Sequence, residues 1–516
     1  MPLSVVPAEE VSGLVPFQPE LVNSAAQGHL ENAVKGCIKQ CGREAMLSCG
    51  SLLRGYDTQT GRPYMELQVG RQERPLVGPF VELVRGRSTY LVVAVSGGSG
   101  GPLLCVCQPV SGRVVRAIRL AAPVTHLCLV SAQKLGVLGG GCVALATEDR
   151  CLLLVDLCLD SARHYSDELR PANLVQLEGV FADELPNISP THGAPVHCFV
   201  PLCDLDDLAD LDEMAVSNGD MEVTCLQWLP QLFCLGIGLG CGTVHLWDVH
   251  KSSSMLVMTL SSDLPVVSLA LQEPENDPRC CCYLWSAQAS ADTPLSSFAI
   301  ASMHALSFQK KEPSEYVHHR YKGLVSARSM FVYSLVPDVV PGMEGTAGQS
   351  PQDEELLGSR IMSFRTMWSP STTCTAGDRP SSPAATTRPG LEHVEDLLLI
   401  SWQLVRGSRV LGTYLSVFDI NQWYRAQMPR NFRSNAFQLC SFIGLFSLVE
   451  PVAKCGNHAV LDVRVLQSSI QRFYSANPMV EQTHFPSSLA FTCVCLTTEG
   501  TVQASFLGMQ RQVLNY

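Results

Sequence analysis

Charge is what this 516-residue chain has least of: Asp, Glu, Lys and Arg make up 16 % of it, against about a quarter in an average globular protein. Apolar residues stand at 46 %, the ordinary share, so the missing charge implies much backbone buried in sheet. A basic surplus is also missing. Thirty-six Lys and Arg against forty-eight Asp and Glu give a net charge of -12, whereas duplex binding needs clustered cations to displace counterions. Direct nucleic-acid binding by this chain is not expected. The N-terminus MPLSVVPAEEV lacks the positive segment and apolar core of a secretory signal, which assigns the 22 cysteines to a reducing compartment. No clean membrane span is present either. The longest apolar run, Leu127 to Ala146, holds Lys134 and Gly139-Gly140-Gly141, and reads as strand, glycine turn, strand.

Catalytic signatures are missing as well. There is no GxxxxGK[ST] phosphate loop, and Gly236, Gly238, Gly240 and Gly242 alternate before a strand, which reads as a turn rather than a dinucleotide site. No HExxH occurs, and His318-His319 stands alone. Cys105 with Cys107 and Cys493 with Cys495 put pairs of thiols on one face of a strand without a matching second pair, and Cys280-Cys281-Cys282 is too tight for tetrahedral ligation. Buried structural thiols are the expectation, although spacing alone leaves a nucleophilic cysteine open. No catalytic, metal or cofactor residue is assigned, and no small-molecule substrate.

What the chain does have is a recurring unit: an apolar strand, a tight polar or glycine turn, and a second apolar strand. It is clearest at 142–157, 235–249 and 397–420, and fainter at 45–61, 90–112, 281–308 and 489–508. Period-2 strand units repeated at long interval predict a propeller. The expected fold is all-β, a seven-bladed WD40-like β-propeller over 1–516 with long inter-strand insertions, since about 74 residues per copy exceed the ~40–45 of a plain blade. An N-terminal strand from the first twenty or so residues is expected to complete the blade ending near Leu507, closing the ring. Trp247-Asp248 in HLWDV falls where a third strand should end, with the Trp packing between blades.

Two insertions stand out. Residues 198–222 contain DLDDLADLDE, whose three-spaced leucines suit a short acidic helix. A calcium loop is disfavoured by the missing sixth-position glycine and terminal Glu. Residues 337–395 are rich in Ser, Thr and Pro and read as a flexible insertion, with Ser369-Pro370 and Ser382-Pro383 as candidate phosphorylation sites.

Two segments are more specific. Phe418 to Pro429, FDINQWYRAQMP, follows an alternating strand. Asn421 suits a helix cap and Pro429 a helix stop. Aromatic residues and Arg anchor interfaces most often, yet Trp423 and Tyr424 suit an inter-blade core plug equally well, and sequence leaves both open. The second segment, LQEPENDPRCCCYLW from Leu271 to Trp285, carries a turn-rich loop at Glu273 to Arg279. There, Asp277 and Arg279 either pair locally or join the 419–429 element in a lock for a partner. The candidate interaction residues are Asp419, Asn421, Trp423, Tyr424, Arg425, Gln427, Met428, Glu273, Glu275, Asn276, Asp277 and Arg279.

Together with LLLVDLCLD at 152–160, these segments closely resemble the N-terminal propeller of the ELYS family of large chromatin-associated nucleoporins. The resemblance implies a seven-bladed propeller followed, in the family, by a helical region and a basic DNA-binding tail. Family members seed pore assembly on chromatin after mitosis and recruit the Y-shaped scaffold subcomplex. It therefore implies a non-catalytic platform with nucleoporins of that subcomplex as partners, and a place in the nucleus at the pore, with kinetochores in mitosis. The propeller is expected to end near Tyr516, so chromatin contact is expected only through regions outside this chain. No membrane insertion is expected. A generic WD40-like adaptor in another assembly, such as membrane traffic, and a ligand-binding or hydrolytic propeller are the alternatives.

Overall fold

Central strands of a blade are covered on both faces, which demands near-continuous apolar runs. Such runs form the middle of most of the sheets here. CVALAT, for example, is buried throughout as Cys142–Thr147, as is CLGIGL as Cys234–Leu239. The computed structural model describes residues 5–17, 35–39, 41–49, 52–68, 80–85, 88–96, 102–109, 113–120, 122–130, 141–148, 152–157, 198–200, 222–249, 253–274, 277–290, 297–311, 321–337, 357–370, 394–407, 409–427, 442–453, 460–471 and 486–508. These form seven sheets whose strands follow chain order outward from a central first strand: blade 1 (35–68), blade 2 (80–119), blade 3 (124–200), blade 4 (223–259), blade 5 (266–334), blade 6 (357–447) and blade 7 (460–506). The molecule is a seven-bladed β-propeller. All seven apolar hairpins picked out in the sequence are the second and third strands of successive blades.

Each blade shares an apolar cluster with the next, and the seventh cluster joins Val494 and Leu496 of blade 7 to Ile38, Ala45 and Tyr56 of blade 1. The N-terminus seals the ring. Blade 7 supplies three strands of its own, and Glu10–Val11 and Val15–Pro16 pair antiparallel with its Gly500–Phe506. Val5–Val6 pairs parallel with Ile443–Ser447 as a fifth strand on blade 6. Thr501 Oγ1 donates to Thr58 O at 2.7 Å, and Ile38 N donates to Asp462 Oδ2 at 2.8 Å, so polar ties also bridge blades 7 and 1.

Trp247 ends the third strand of blade 4 and packs between blades 3 and 4. The glycines before it divide in role. Gly242 turns the hairpin at φ +77°, whereas Gly236 and Gly238 lie inside Cys234–Leu239 rather than in a turn. A Cβ on Gly238 would stand 2.7 Å from Val266 of blade 5, so the missing side chain lets two blades approach.

Both insertion boundaries need correction. Cys198–Val200 is the fourth strand of blade 3, and DLDDLADLDE lies outside the described residues. The long interval of that blade, 158–197, instead precedes its fourth strand. Within 337–395, Leu357–Pro370 is the innermost strand of blade 6, paired along its length with Val394–Arg406. Its Ser, Thr and Arg hide it from a composition reading, because a strand lining a central channel needs only one apolar face. Ser369-Pro370 ends that strand, and Ser382-Pro383 lies outside the described residues. No helix among the described residues is long and apolar enough to cross a membrane.

Candidate functional site

The two distinctive segments lie far apart in sequence, and antiparallel topology brings them together. In each blade, the end of the first strand and the end of the third emerge on the same side of the ring. The loop after Val266–Gln272 of blade 5 and the helix after Arg409–Asp419 of blade 6 therefore meet where neighbouring blades touch.

Helix Ile420–Gln427 starts on a side-chain cap. Asp419, fully buried, accepts from the backbone N–H of Asn421 at 2.9 Å and of Gln422 at 3.1 Å, covering amides that a helix start leaves open. The cap is thus Asp419 and not Asn421, which is itself buried. Ile420, Trp423 and Tyr424 stand at i, i+3 and i+4, one face of a helix, and all three are buried in the cluster shared by blades 5 and 6. Arg425 and Gln427 point away and are exposed, with the Arg425 cation in the last turn, where the helix dipole favours it.

Blade 5 meets this helix with aromatic and charged groups. Tyr283 packs edge-on against Trp423, ring centroids 5.2 Å apart at 75°. The Tyr424 hydroxyl donates to Asp277 Oδ1 at 3.1 Å. Arg279 donates through Nε and Nη2 to the two Asp277 oxygens at 2.9 and 3.1 Å, and through Nη2 to the Tyr283 hydroxyl at 2.8 Å. Its guanidinium also lies 4.8 Å from the centre of the Tyr424 ring, within cation–π range. The Asp277 bonds hold the Arg279 cation above its ordinary range, while burial raises the Tyr283 and Tyr424 hydroxyls. The Asp277 side chain is 1 % exposed and the Arg279 side chain 50 %, so the pair is an enclosed carboxylate under a half-open lid.

Beneath it lies a second tie that the sequence did not single out. Gln272 Nε2 donates to Asp396 Oδ1 at 3.1 Å, the Glu273 N–H donates to Asp396 Oδ2 at 3.2 Å, and Trp285 Nε1 donates to Gln272 Oε1 at 2.8 Å. Burial pushes the Asp396 carboxyl up to about 7, with Glu273 and Asp419 adding to the push. A hint was present, since Asp396 directly precedes the apolar run LLLISW, which carries it towards the interior.

The structure therefore brings the two segments together as an inter-blade clamp, and it places the rings of Trp423 and Tyr424 in the interior rather than on a docking face. Asp419, Asn421 and Asp277 are likewise buried. Glu273 is half-buried and ion-pairs with Lys311 at 3.2 Å. Arg279, Arg425 and Gln427 face outward. Glu275, Asn276, Met428 and Pro429 lie outside the described residues. Among the described residues, no cluster of His, Cys, Asp and Glu is arranged to hold a metal. The Cys105 and Cys128 thiols are pushed by burial up to about 12, which suits small core hydrophobes better than nucleophiles.

A family model described as the beta-propeller of ELYS nucleoporin matches residues 12–503. The chain belongs to this family. It is similar to Protein ELYS of Homo sapiens, 28 % identical over 534 residues, covering 99 % of this chain and 22 % of that protein. Protein ELYS of Xenopus laevis is also 28 % identical, over 542 residues, covering 99 % and 21 %. The chain thus spans about a fifth of the length of these curated relatives. Among solved structures, Raptor of Chaetomium thermophilum overlaps 97 % of this chain and 29 % of its own at 10 % identity, with a TM-score of 0.41, too slight a likeness to inform function. Membership of the ELYS propeller family is what the three distinctive segments pointed to, and the seven blades agree with it.

Proposed function

We propose that this chain is the non-catalytic interaction platform of an ELYS-type nucleoporin, anchoring it to the Y-shaped scaffold subcomplex for post-mitotic assembly of nuclear pores on chromatin. It acts at the nuclear envelope and pore, and at kinetochores in mitosis, while contact with chromatin runs through regions outside this chain. The observation that carries this reading is the family match across residues 12–503. The clamp between blades 5 and 6 adds a fixed surface: Trp423 and Tyr424 set the helix in place from inside, and Arg425 and Gln427, with the half-open Arg279, are the groups left to touch a partner.

The test is capture of purified Y-shaped subcomplex by the immobilised chain, beside an Arg425→Ala, Gln427→Ala double variant. Both side chains are exposed, so the variant's thermal melt should match the parent's. If the pair includes a central anchor, binding should weaken by about 2 kcal/mol or more. Binding that survives the double change would move the docking surface to another face. A parent chain that captures none of the subcomplex would sink the proposal in favour of a WD40-like adaptor for another assembly.

A further inference from the structure

Blade 5 ends in the strand Tyr321–Ser334, YKGLVSARSMFVYS, which is unlike the outer strands of the other blades. It is fourteen residues long, where a strand commonly has about five or six. It is hydrogen-bonded to Ile300–Lys311 on one side only, and among the described residues no strand lies on its other side. Only Tyr321 along it is buried. Eight large apolar side chains are exposed among the described residues, and three of them are on this one strand: Val325 at 64 %, Met330 at 39 % and Val332 at 50 %. Exposed apolar side chains gathered in one place mark a contact surface more often than scattered ones do.

Charge points to the occupant. The strands Ile300–Lys311 and Tyr321–Ser334 carry Lys310, Lys311, Lys322 and Arg328 and neither Asp nor Glu, in a chain whose net charge is -12; Lys311 is already paired with Glu273. Lys310, Lys322 and Arg328 are exposed. Two register shifts leave Val325 and Met330 as the extra residues of β-bulges, because Ser326 and Leu324 face consecutive residues of the partner strand, as do Ser329 and Phe331. Lysines and bulges on an open edge discourage chance pairing. They disfavour a second copy of this chain, whose matching strand carries cations and no acid to meet them, and favour a strand of opposite sign. The propeller already accepts a fifth strand elsewhere, for Val5–Val6 lies parallel on the outer edge of blade 6.

We propose that the open edge of Tyr321–Ser334 docks an extended segment of a partner protein, with apolar side chains alternating with acidic ones, as a fifth strand of blade 5. Main-chain hydrogen bonds along the edge hold the segment. Val325, Met330 and Val332 receive its apolar side chains, and Arg328 selects its acids. This surface does not depend on which larger complex the propeller serves.

The probe is a fluorescent peptide of about a dozen residues, the length of a long strand, alternating Val and Glu. A Val and Lys peptide and a single-stranded oligonucleotide serve as controls. Binding is read by fluorescence anisotropy and located by amide hydrogen exchange over 321–334. The acidic peptide should bind and slow exchange across that strand, and added salt should weaken it. Arg328→Glu should weaken it about tenfold, and Val332→Ser should weaken it less. These side chains are exposed, so thermal melts should match the parent's; if the charge reversal unfolds the blade, Val332→Ser remains the deciding variant. Equal binding of the Lys peptide, tighter binding of the oligonucleotide, protection confined to other strands, or unchanged affinity in the folded variants would overturn the proposal. So would self-association of the parent chain in sedimentation that Val332→Ser abolishes, since the occupant would then be a second copy.

Discussion

The junction of blades 5 and 6 and the junction of blades 1 and 2 solve the same packing problem with different side chains. Blades 1 and 2 meet through Met46, Leu53, Met65, Leu91, Val93, Cys105 and Cys107, small or flexible groups whose burial is favourable in almost any orientation. Their polar link, Lys39 to Glu82 at 2.9 Å, sits at the edge. Blades 5 and 6 meet through Trp285, Trp402, Trp423, Tyr283, Tyr414 and Tyr424, and polar tips are tied inside the interface, Trp285 to Gln272 and Trp402 to Ser416 at 3.0 Å. Rings oriented in this way within each blade, with Tyr424 tied across to Asp277 and Gln272 across to Asp396, both at 3.1 Å, fit one relative placement of two blades. The first junction holds the ring together; the second also fixes the loop and helix that cross it, which is what a docking surface requires.

The sharpest way to break this contrast is Trp285→Ala beside Cys105→Val. Trp285 is 1 % exposed, and its loss removes a large ring and leaves Gln272 without that partner, so a cost of about 3–5 kcal/mol is expected. Cys105→Val swaps one small apolar group for another and should cost less than about 1.5 kcal/mol. Urea unfolding of both variants checks the pair. Comparable losses would mean that the aromatic junction is no more specific than the aliphatic one.

The junctions should also differ in their response to pH. The Asp396 carboxyl moves from 3.8 to about 7 on folding, chiefly through burial. Between those values, the folded protein keeps a proton that the unfolded chain releases, so this group's contribution to stability falls as pH rises from about 4 to about 7 and stays low above that. Asn cannot ionise. The stability difference between Asp396→Asn and the parent should therefore shift in the variant's favour as pH rises across that window, measured by thermal melts at matched ionic strength. The buried groups of the blade 1 and 2 cluster that can ionise are thiols, which burial keeps protonated, so Cys105→Val should give a flat profile. A flat profile for Asp396→Asn as well would mean that the carboxyl is solvated.

Legibility in the sequence followed burial. Central hairpins such as 235–249 were plain, because strands covered on both faces are mostly apolar and the few polar residues they bury, such as His245 and Asp248, do not break the run. First and fourth strands were not: Leu357–Pro370 has a channel side, and Tyr321–Ser334 is mostly open to solvent, so both read as polar or mixed. The two segments of the clamp were legible as unusual, since 273–279 and 419–429 combine turn chemistry with aromatic and charged residues. The direction of the rings was harder. Trp and Tyr serve cores and interfaces alike, and only the 420, 423, 424 spacing signalled an inward face. Gln272 and Asp396 were nearly silent: apart from the apolar run that follows Asp396, a polar pair split across two blades leaves no local pattern.

The smallest effect tests whether the clamp acts as a unit. Tyr424→Phe keeps the ring against Arg279 and removes the hydroxyl that donates to Asp277. Asp277 retains Arg279, whose Nε, Nη2 and backbone N–H all donate to it, so no charge is left unpaired, and about 1 kcal/mol should be lost. If the hydroxyl couples helix to loop, Tyr424→Phe in an Asp277→Ala background, which removes the acceptor, should cost less than in the parent, by more than the ~0.5 kcal/mol scatter of independent sites. Strict additivity would mean that the two segments are neighbours held by ring packing alone, and the aromatic junction would then differ from the aliphatic one in size rather than in kind.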